Sequence, residues 1–211
     1  MTTEDLIRAL AVDRYTGQKP RTALLLALVS ATAVAAILFF SRIGFRDDID
    51  DALHTVRFLF KFAVVLPLAV VTTGAMFRSA DPLQAYGWWM KLLPLPLLLL
   101  GVGVVAELLA IPRSEWMVRS IGSNAANCMT LIPLLASGPL AIFITVLKTG
   151  APADPGVSGA MAGLAASGIA AIFYATNCFD DSPLFVMTWY PLAIGTVTLA
   201  GYLAGRWLLR W

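Results

Sequence analysis

Thr22-Ala-Leu-Leu-Leu-Ala-Leu-Val-Ser-Ala-Thr-Ala-Val-Ala-Ala-Ile-Leu-Phe-Phe40 holds no ionisable side chain and lies between Arg21 and Arg42. As a helix rising about 1.5 Å per residue it reaches about 28 Å, close to the thickness of a bilayer's hydrocarbon core. A helix apolar on every face must be surrounded by protein or lipid. Working outward, stretches of similar length and composition recur at Val56–Phe77, Leu92–Ile111, Cys128–Leu147, Val157–Ala175 and Leu184–Gly205. These six windows account for most of a 211-residue chain that is 59% hydrophobic and 13% charged. The expected fold class is all-α, an integral membrane bundle of six transmembrane helices.

The connections are short, so no soluble domain sits between spans. The chain divides into a 1–21 N-terminal amphipathic segment and a 22–211 transmembrane domain. Fifteen Lys+Arg against thirteen Asp+Glu leave a net charge of +2, which supplies no basic face for direct nucleic acid binding and no acidic tail. The leader before Thr22 carries Glu4, Asp5 and Asp13, and a full span follows, which points to an uncleaved helix and not a signal peptide. With six spans both termini share a side. That side holds Arg8, Arg14, Lys19, Arg21, Arg78, Lys91, Lys148, Arg206 and Arg210, against Arg42, Arg46, Arg57, Lys61, Arg113 and Arg119 on the other. The excess of basic residues puts both termini in the cytoplasm. Trp88, Trp89, Trp116, Trp207 and Trp211 fall near span ends, where an interfacial belt belongs.

In that topology Cys128 and Cys178 both lie on the outward side, fifty positions apart, each after an asparagine. One helical hairpin brings them to the same depth if its helices are neighbours. The compartment permits oxidation, so a reversible disulfide or transient soft-metal binding is available to them; the competing reading is two small apolar residues of membrane helices. Two thiolates fall short of zinc's usual four ligands, and His54, at a helix start on the same side, reads more simply as interfacial. No resident cofactor is expected. Glu107 lies at the depth of Arg57 and Lys61 on an antiparallel neighbour, so it is expected to pair with one of them, snorkelling being the alternative. The inward halves of the spans hold no carboxylate or histidine, against a proton-coupled pump. Pro67, Pro94, Pro96, Pro133, Pro139 and Pro191 fall within spans and kink them. Gly159, Gly163 and Ser167, and Gly201 and Gly205, form small-residue faces suited to packing inside the bundle, with a homodimer as the alternative.

At the N-terminus Thr2 and Asp5 fit a capping box, and Leu6, Ile7 and Leu10 form a stripe opposite Glu4 and Arg8. So short a helix needs a surface to bury its stripe. Membrane lipid and the groove of a protein partner both offer one, and the acidic residues weigh against lipid. At the other end of the chain stands Asn177-Cys178-Phe179-Asp180-Asp181-Ser182-Pro183-Leu184-Phe185-Val186-Met187-Thr188-Trp189-Tyr190-Pro191, in which Asp180, Asp181, Ser182 and Pro183 make a turn and a helix start.

That block, the opening Thr-x-Asp-Leu-Ile-Arg-Ala-Leu-Ala, the six-span plan and a second cysteine fifty residues upstream resemble the NrsF family of bacterial inner-membrane anti-sigma factors across essentially the whole chain. The resemblance implies a non-enzymatic, multi-pass protein of the bacterial inner membrane. Such a protein sequesters an extracytoplasmic-function sigma factor and releases it on periplasmic heavy-metal or oxidative stress. Cys128 and Cys178 would sense the stress, and Asp5, Leu6, Ile7, Arg8 and Leu10 would hold the partner. Asn177 stands where members of the family often carry histidine, which favours thiol chemistry over metal coordination. The alternative function is a small membrane transporter or channel, with the prolines and Glu107 on its pathway. A thiol oxidoreductase would want a CxxC pair or haem-ligating histidines, and neither is present.

Overall fold

A computed structural model describes residues 20–79, 87–150 and 152–209, and these residues form helices and no strand. In chain order the helices are α1 (Pro20–Arg42), α2 (Ile49–Leu53), α3 (Val56–Ser79), α4 (Gly87–Leu92), α5 (Leu95–Ala110), α6 (Arg113–Ile121), α7 (Ala125–Leu147), α8 (Pro155–Asn177) and α9 (Pro183–Leu208). Among the described residues six stretches are long and apolar enough to cross a membrane, at Thr22–Arg42, Val56–Ser79, Gly87–Ala110, Arg113–Leu147, Pro155–Asn177 and Pro183–Leu208. Each contains or closely overlaps one of the six windows read from the sequence. The third is made of α4 and α5, parted at Leu93 and Pro94, where proline supplies no N–H to continue the helical bonds.

Helix α8 is the centre of the bundle. Of its most apolar window 72% is buried, against 22% to 44% for the other five. It packs against α9, α3 and α7, and over a smaller area against α1. Composition explains the position: Gly156, Gly159, Ala162, Gly163, Ala166, Ser167 and Ala170 leave almost no side-chain bulk, so surrounding backbones come close. Gly159 meets Gly201 and Gly205 of α9, and a Cβ on any of the three would run into backbone atoms of the facing helix. The two small-residue faces seen in the sequence therefore pack on each other within one chain. The outer surface is apolar, with Val29 of α1 and Val102 and Leu109 of α5 exposed.

The spans alternate, which sorts the connections to two ends. At one end lie Arg42, the segments 43–55, 111–124 and 178–182, and both ends of the turn joining α8 to α9. At the other lie Pro20, Ser79, Pro155 and Leu208; there Ser158 Oγ donates to the Ser79 carbonyl at 3.3 Å. Asp5, Leu6, Ile7, Arg8 and Leu10 lie outside the described residues. The stretch from Pro112 to Asn127, read from the sequence as a connection, contains α6. This helix exposes Met117, Val118 and Ile121 and turns Arg119 toward the bundle. Two turns are too short for the apolar periodicity to stand out, and three charged residues hide it.

Candidate functional site

The end holding segments 43–55, 111–124 and 178–182 concentrates the buried charge. Cys178 caps the C-terminus of α8, its N–H donating to the Tyr174 carbonyl at 3.0 Å. Its own carbonyl has no helical partner. It accepts from Lys61 Nζ at 2.8 Å and from Arg46 Nη1 at 3.2 Å. Lys61 is fully buried, and its ammonium pairs with Asp181 at 2.5 Å. A buried ammonium without a counter-ion would be costly, and Asp181 supplies it. Arg46 also reaches Asp181 at 3.0 Å, pairs with Asp48 at 2.6 Å, and lies 4.7 Å over the Phe179 ring. The Asp48 hydrogen bond holds the Arg46 guanidinium above its ordinary range, and the same bond holds the Asp48 carboxyl below its own. Arg46 thus ties segment 43–55 to the α8–α9 turn, helped by Asn177 Nδ2 donating to the Gly44 carbonyl at 3.1 Å.

Asp180 does a different job from its neighbour. Its Oδ2 accepts from the backbone N–H groups of Ser123 at 2.9 Å and Asn124 at 2.7 Å, and from Asn124 Nδ2 at 3.1 Å. Asn124 is the N-cap of α7 but makes no capping bond with its own side chain. Asp180, 56 positions away, satisfies the N–H of that N-cap residue from outside the helix and sets a negative charge at its positive end. Gly122, at φ +58°, permits the turn; a Cβ there would also collide with Asp180 and Phe185. Ser182 caps α9 by accepting from the Leu184 N–H at 3.2 Å, and Pro183 opens the helix. Its hydroxyl donates to Glu107 Oε2 at 2.8 Å, while Arg57 and Arg119 both reach Glu107 Oε1 at 3.3 Å. Of the two partners expected for Glu107, Arg57 is the one that pairs. Lys61 does not, because it sits on the face of α3 turned to α8 and reaches Asp181 instead.

Under this layer lie the two thiols. Cys128 and Cys178 are free, buried, and members of one cluster with Tyr174 and Tyr190, whose rings are 5.9 Å apart. Tyr174 OH donates to the Asn124 carbonyl at 3.3 Å, which also accepts the Cys128 N–H at 2.8 Å, so α8 is pinned to the first turn of α7 beside the thiol. Burial pushes the Cys178 thiol above its ordinary value. A polar cleft of about 920 Å³, lined in part by Arg57, Arg119, Ser123 and Phe179, opens above the charged layer. Among the described residues no group of three or more His, Cys, Asp or Glu side chains is placed to hold a metal ion. A soft metal would meet two thiols here and would need its other ligands from elsewhere. His54 is exposed at the end of α2, away from the thiols.

The structure thus brings Cys128, Cys178, Asp180, Asp181 and Ser182 into one assembly and gives each carboxylate and the serine a separate task. Sequence reading missed Arg46, Asn124, Tyr174, Tyr190 and Arg119. The only signal was an Arg46-Asp47-Asp48 cluster in one loop and Asp180-Asp181 in another, a charge pattern with no indication that the loops touch.

The sequence profile of the NrsF family, described as negative regulator of sigma F, matches residues 9–211. A probable anti-sigma-F factor NrsF from Azospira oryzae is 32% identical over 216 residues, covering 100% of both chains. An anti-sigma-F factor NrsF from Caulobacter vibrioides is 29% identical over 219 residues, again covering 100% of both. No solved structure matches significantly.

Proposed function

Because the chain belongs to the NrsF family of negative regulators of sigma F, we propose that it is a multi-pass inner-membrane anti-sigma factor. In this reading both termini are cytoplasmic, and Leu6, Ile7 and Leu10, flanked by Asp5 and Arg8, hold an extracytoplasmic-function sigma factor. Oxidative or heavy-metal attack on Cys128 and Cys178 from the periplasm releases it. The observation that supports this division of labour is the placement of the thiols at the bundle end opposite Pro20 and Leu208, with the central helix α8 running between.

The chemistry follows from the packing. Both sulfurs are surrounded by protein, so an adduct or a bridge needs room that the resting bundle lacks. Cys128 sits in the first turns of α7 and Cys178 at the tip of α8, and Asp180 and Tyr174 join those two helix ends. Modification at either thiol therefore works against the α7–α8 junction. Because α8 touches four other spans, a shift at its tip is transmitted along the bundle as a change between two packings. The layer of Lys61, Arg46 and Asp181 closes over Cys178 and keeps it unreactive until that layer opens. A transport reading gains nothing from Glu107, which is held by Arg57, Arg119 and Ser182 at one end of the bundle.

The test is replacement of both cysteines by serine, with sigma-dependent transcription as readout. Repression at rest with no induction by oxidant or soft metal is expected. Normal induction in the double variant would overturn the thiol assignment.

A further inference from the structure

The polar cleft above the charged layer holds two ionised groups that the fold does not balance. It lies between the start of α3, α6 and the α8–α9 turn. Asp181 on its wall is neutralised by Lys61 and Arg46, and Arg119 by Glu115 at 2.7 Å and by Glu107. Asp180 is different. Its hydrogen bonds among the described residues all come from neutral donors of Ser123 and Asn124 and all go to Oδ2, and no Lys or Arg of those residues pairs with it. Oδ1 is left to accept a donor from the cleft. Arg57 is the converse case: its side chain is 48% exposed, and the Glu107 oxygen it reaches at 3.3 Å is shared with Arg119. Most of the five N–H donors of that guanidinium remain to be used. No ion pair joins Arg57 to Asp180 among the described residues, so one cleft presents a free cation and a free anion apart from each other.

The rim narrows the chemistry of what fits. Val56 and Val118 line the same cleft and are 82% and 71% exposed, and Met117 and Ile121 continue the apolar surface along α6. Val56 is also the first residue of a membrane-crossing stretch, so the cleft sits where hydrocarbon gives way to headgroups. A molecule seated there needs an anion for Arg57, a cation for Asp180 and an apolar body for the rim, which together describe a zwitterionic phospholipid. Asp180 Oδ1 further asks for an N–H donor, which an ethanolamine ammonium carries and a quaternary choline does not. The cleft, at about 920 Å³, is roomy enough for such a headgroup. We propose that it is a binding site for phosphatidylethanolamine, the phosphate on Arg57, the ammonium on Asp180 Oδ1 and the acyl chains leaving past Val56 and Val118. The bound lipid bridges α3 to the α8–α9 turn. The site rests on the placement of the bundle in a membrane and draws on neither the thiols nor the sigma factor.

The test titrates the purified full chain, in mild detergent, with phosphatidylethanolamine, phosphatidylglycerol or phosphatidylcholine of matched acyl chains and counts bound lipid by native mass spectrometry. A one-to-one adduct with phosphatidylethanolamine is expected, held about threefold or more better than either of the others. Arg57→Gln leaves Glu107 to Arg119 and Ser182 and should weaken that adduct about tenfold, the scale of one charged hydrogen bond. Asp180→Asn keeps an oxygen for the Ser123 and Asn124 N–H groups and removes the charge, so the preference over phosphatidylglycerol should vanish. Equal retention of the three lipids by the wild type, or an adduct indifferent to both substitutions, would overturn the assignment. So would displacement by an equimolar amount of glycerophosphoethanolamine, which has the headgroup and no acyl chains. Both variants keep Cys128, Cys178 and the tail, so sigma-factor capture measured in parallel reports on the regulatory reading separately.

Discussion

The Lys61–Asp181 pair makes the sharpest demand on stability. Lys61 has no solvent exposure, its ammonium is held by Asp181 and by the Cys178 carbonyl, and Asp181 is 17% exposed. Asp181→Asn strands the ammonium, whereas Arg46 keeps Asp48. Removing one member of a buried pair costs about 3–5 kcal/mol; the partial exposure of Asp181 argues for the lower end, about 3 kcal/mol. At roughly 2–4 °C per kcal/mol for a chain of this size, the melting temperature should fall by roughly 6–12 °C. Lys61→Met removes the charge that needs a partner and leaves Asp181 to Arg46, so its cost is about 1 kcal/mol. The double variant Lys61→Met with Asp181→Asn should cost only about 1 kcal/mol, recovering most of the loss and giving a coupling of about 3 kcal/mol in a double-mutant cycle. Both cysteines are buried, so a thiol-reactive dye followed against temperature in detergent reports unfolding directly. An Asp181→Asn variant that melts with the wild type, or a double variant no better than Asp181→Asn alone, would refute the reasoning.

Asp180→Ala removes the acceptor at the start of α7 and should cost about 1–2 kcal/mol by the same melt, the scale of an N–H left without its acceptor, with Asp180→Asn recovering part of it. Gly159→Ala places a methyl group against the backbone of α9; a loss of about 1–3 kcal/mol is expected from overpacking, and an unchanged melt would mean the α8–α9 contact is looser than described. Burial raises Cys178 above the ordinary thiol value of about 8.5, so the folded chain holds that proton more tightly than the unfolded one. Its contribution to stability is full below about pH 8.5 and is lost as pH climbs toward the raised value. Alkylation of Cys178 near pH 8.5 should therefore be far slower in the native chain than in the denatured one, with Asp181→Asn speeding it.

The six spans were legible because a bilayer imposes length and apolarity on each segment separately, as Thr22–Phe40 illustrates. The Gly159, Gly163, Gly201 and Gly205 faces were legible for a similar reason: a residue without a side chain announces a close approach wherever its partner lies. Ser182 and Pro183 read correctly as a helix start, since capping is local. Which carboxylate serves which partner was not legible. Asp180 and Asp181 are adjacent, yet one holds the start of α7 and the other neutralises Lys61, and that choice depends on the neighbours of α8 and not on spacing along the chain. The same holds for Lys61, whose depth alone allowed Glu107 as readily as Asp181. Helix α6 was hidden because its apolar face is outermost and Arg119, the charged residue that marks its inner side, folds inward onto Glu107.

The regulatory reading rests on a partner held by the tail. Its most direct test is co-purification of an extracytoplasmic-function sigma factor with the full-length, membrane-inserted chain, comparing the wild type with a Leu6→Asp, Leu10→Asp variant. Stoichiometric capture by the wild type and loss of at least tenfold in the variant, with insertion unchanged, is the expected result. Failure of the wild type to capture any such factor, or undiminished capture by the variant, would contradict it.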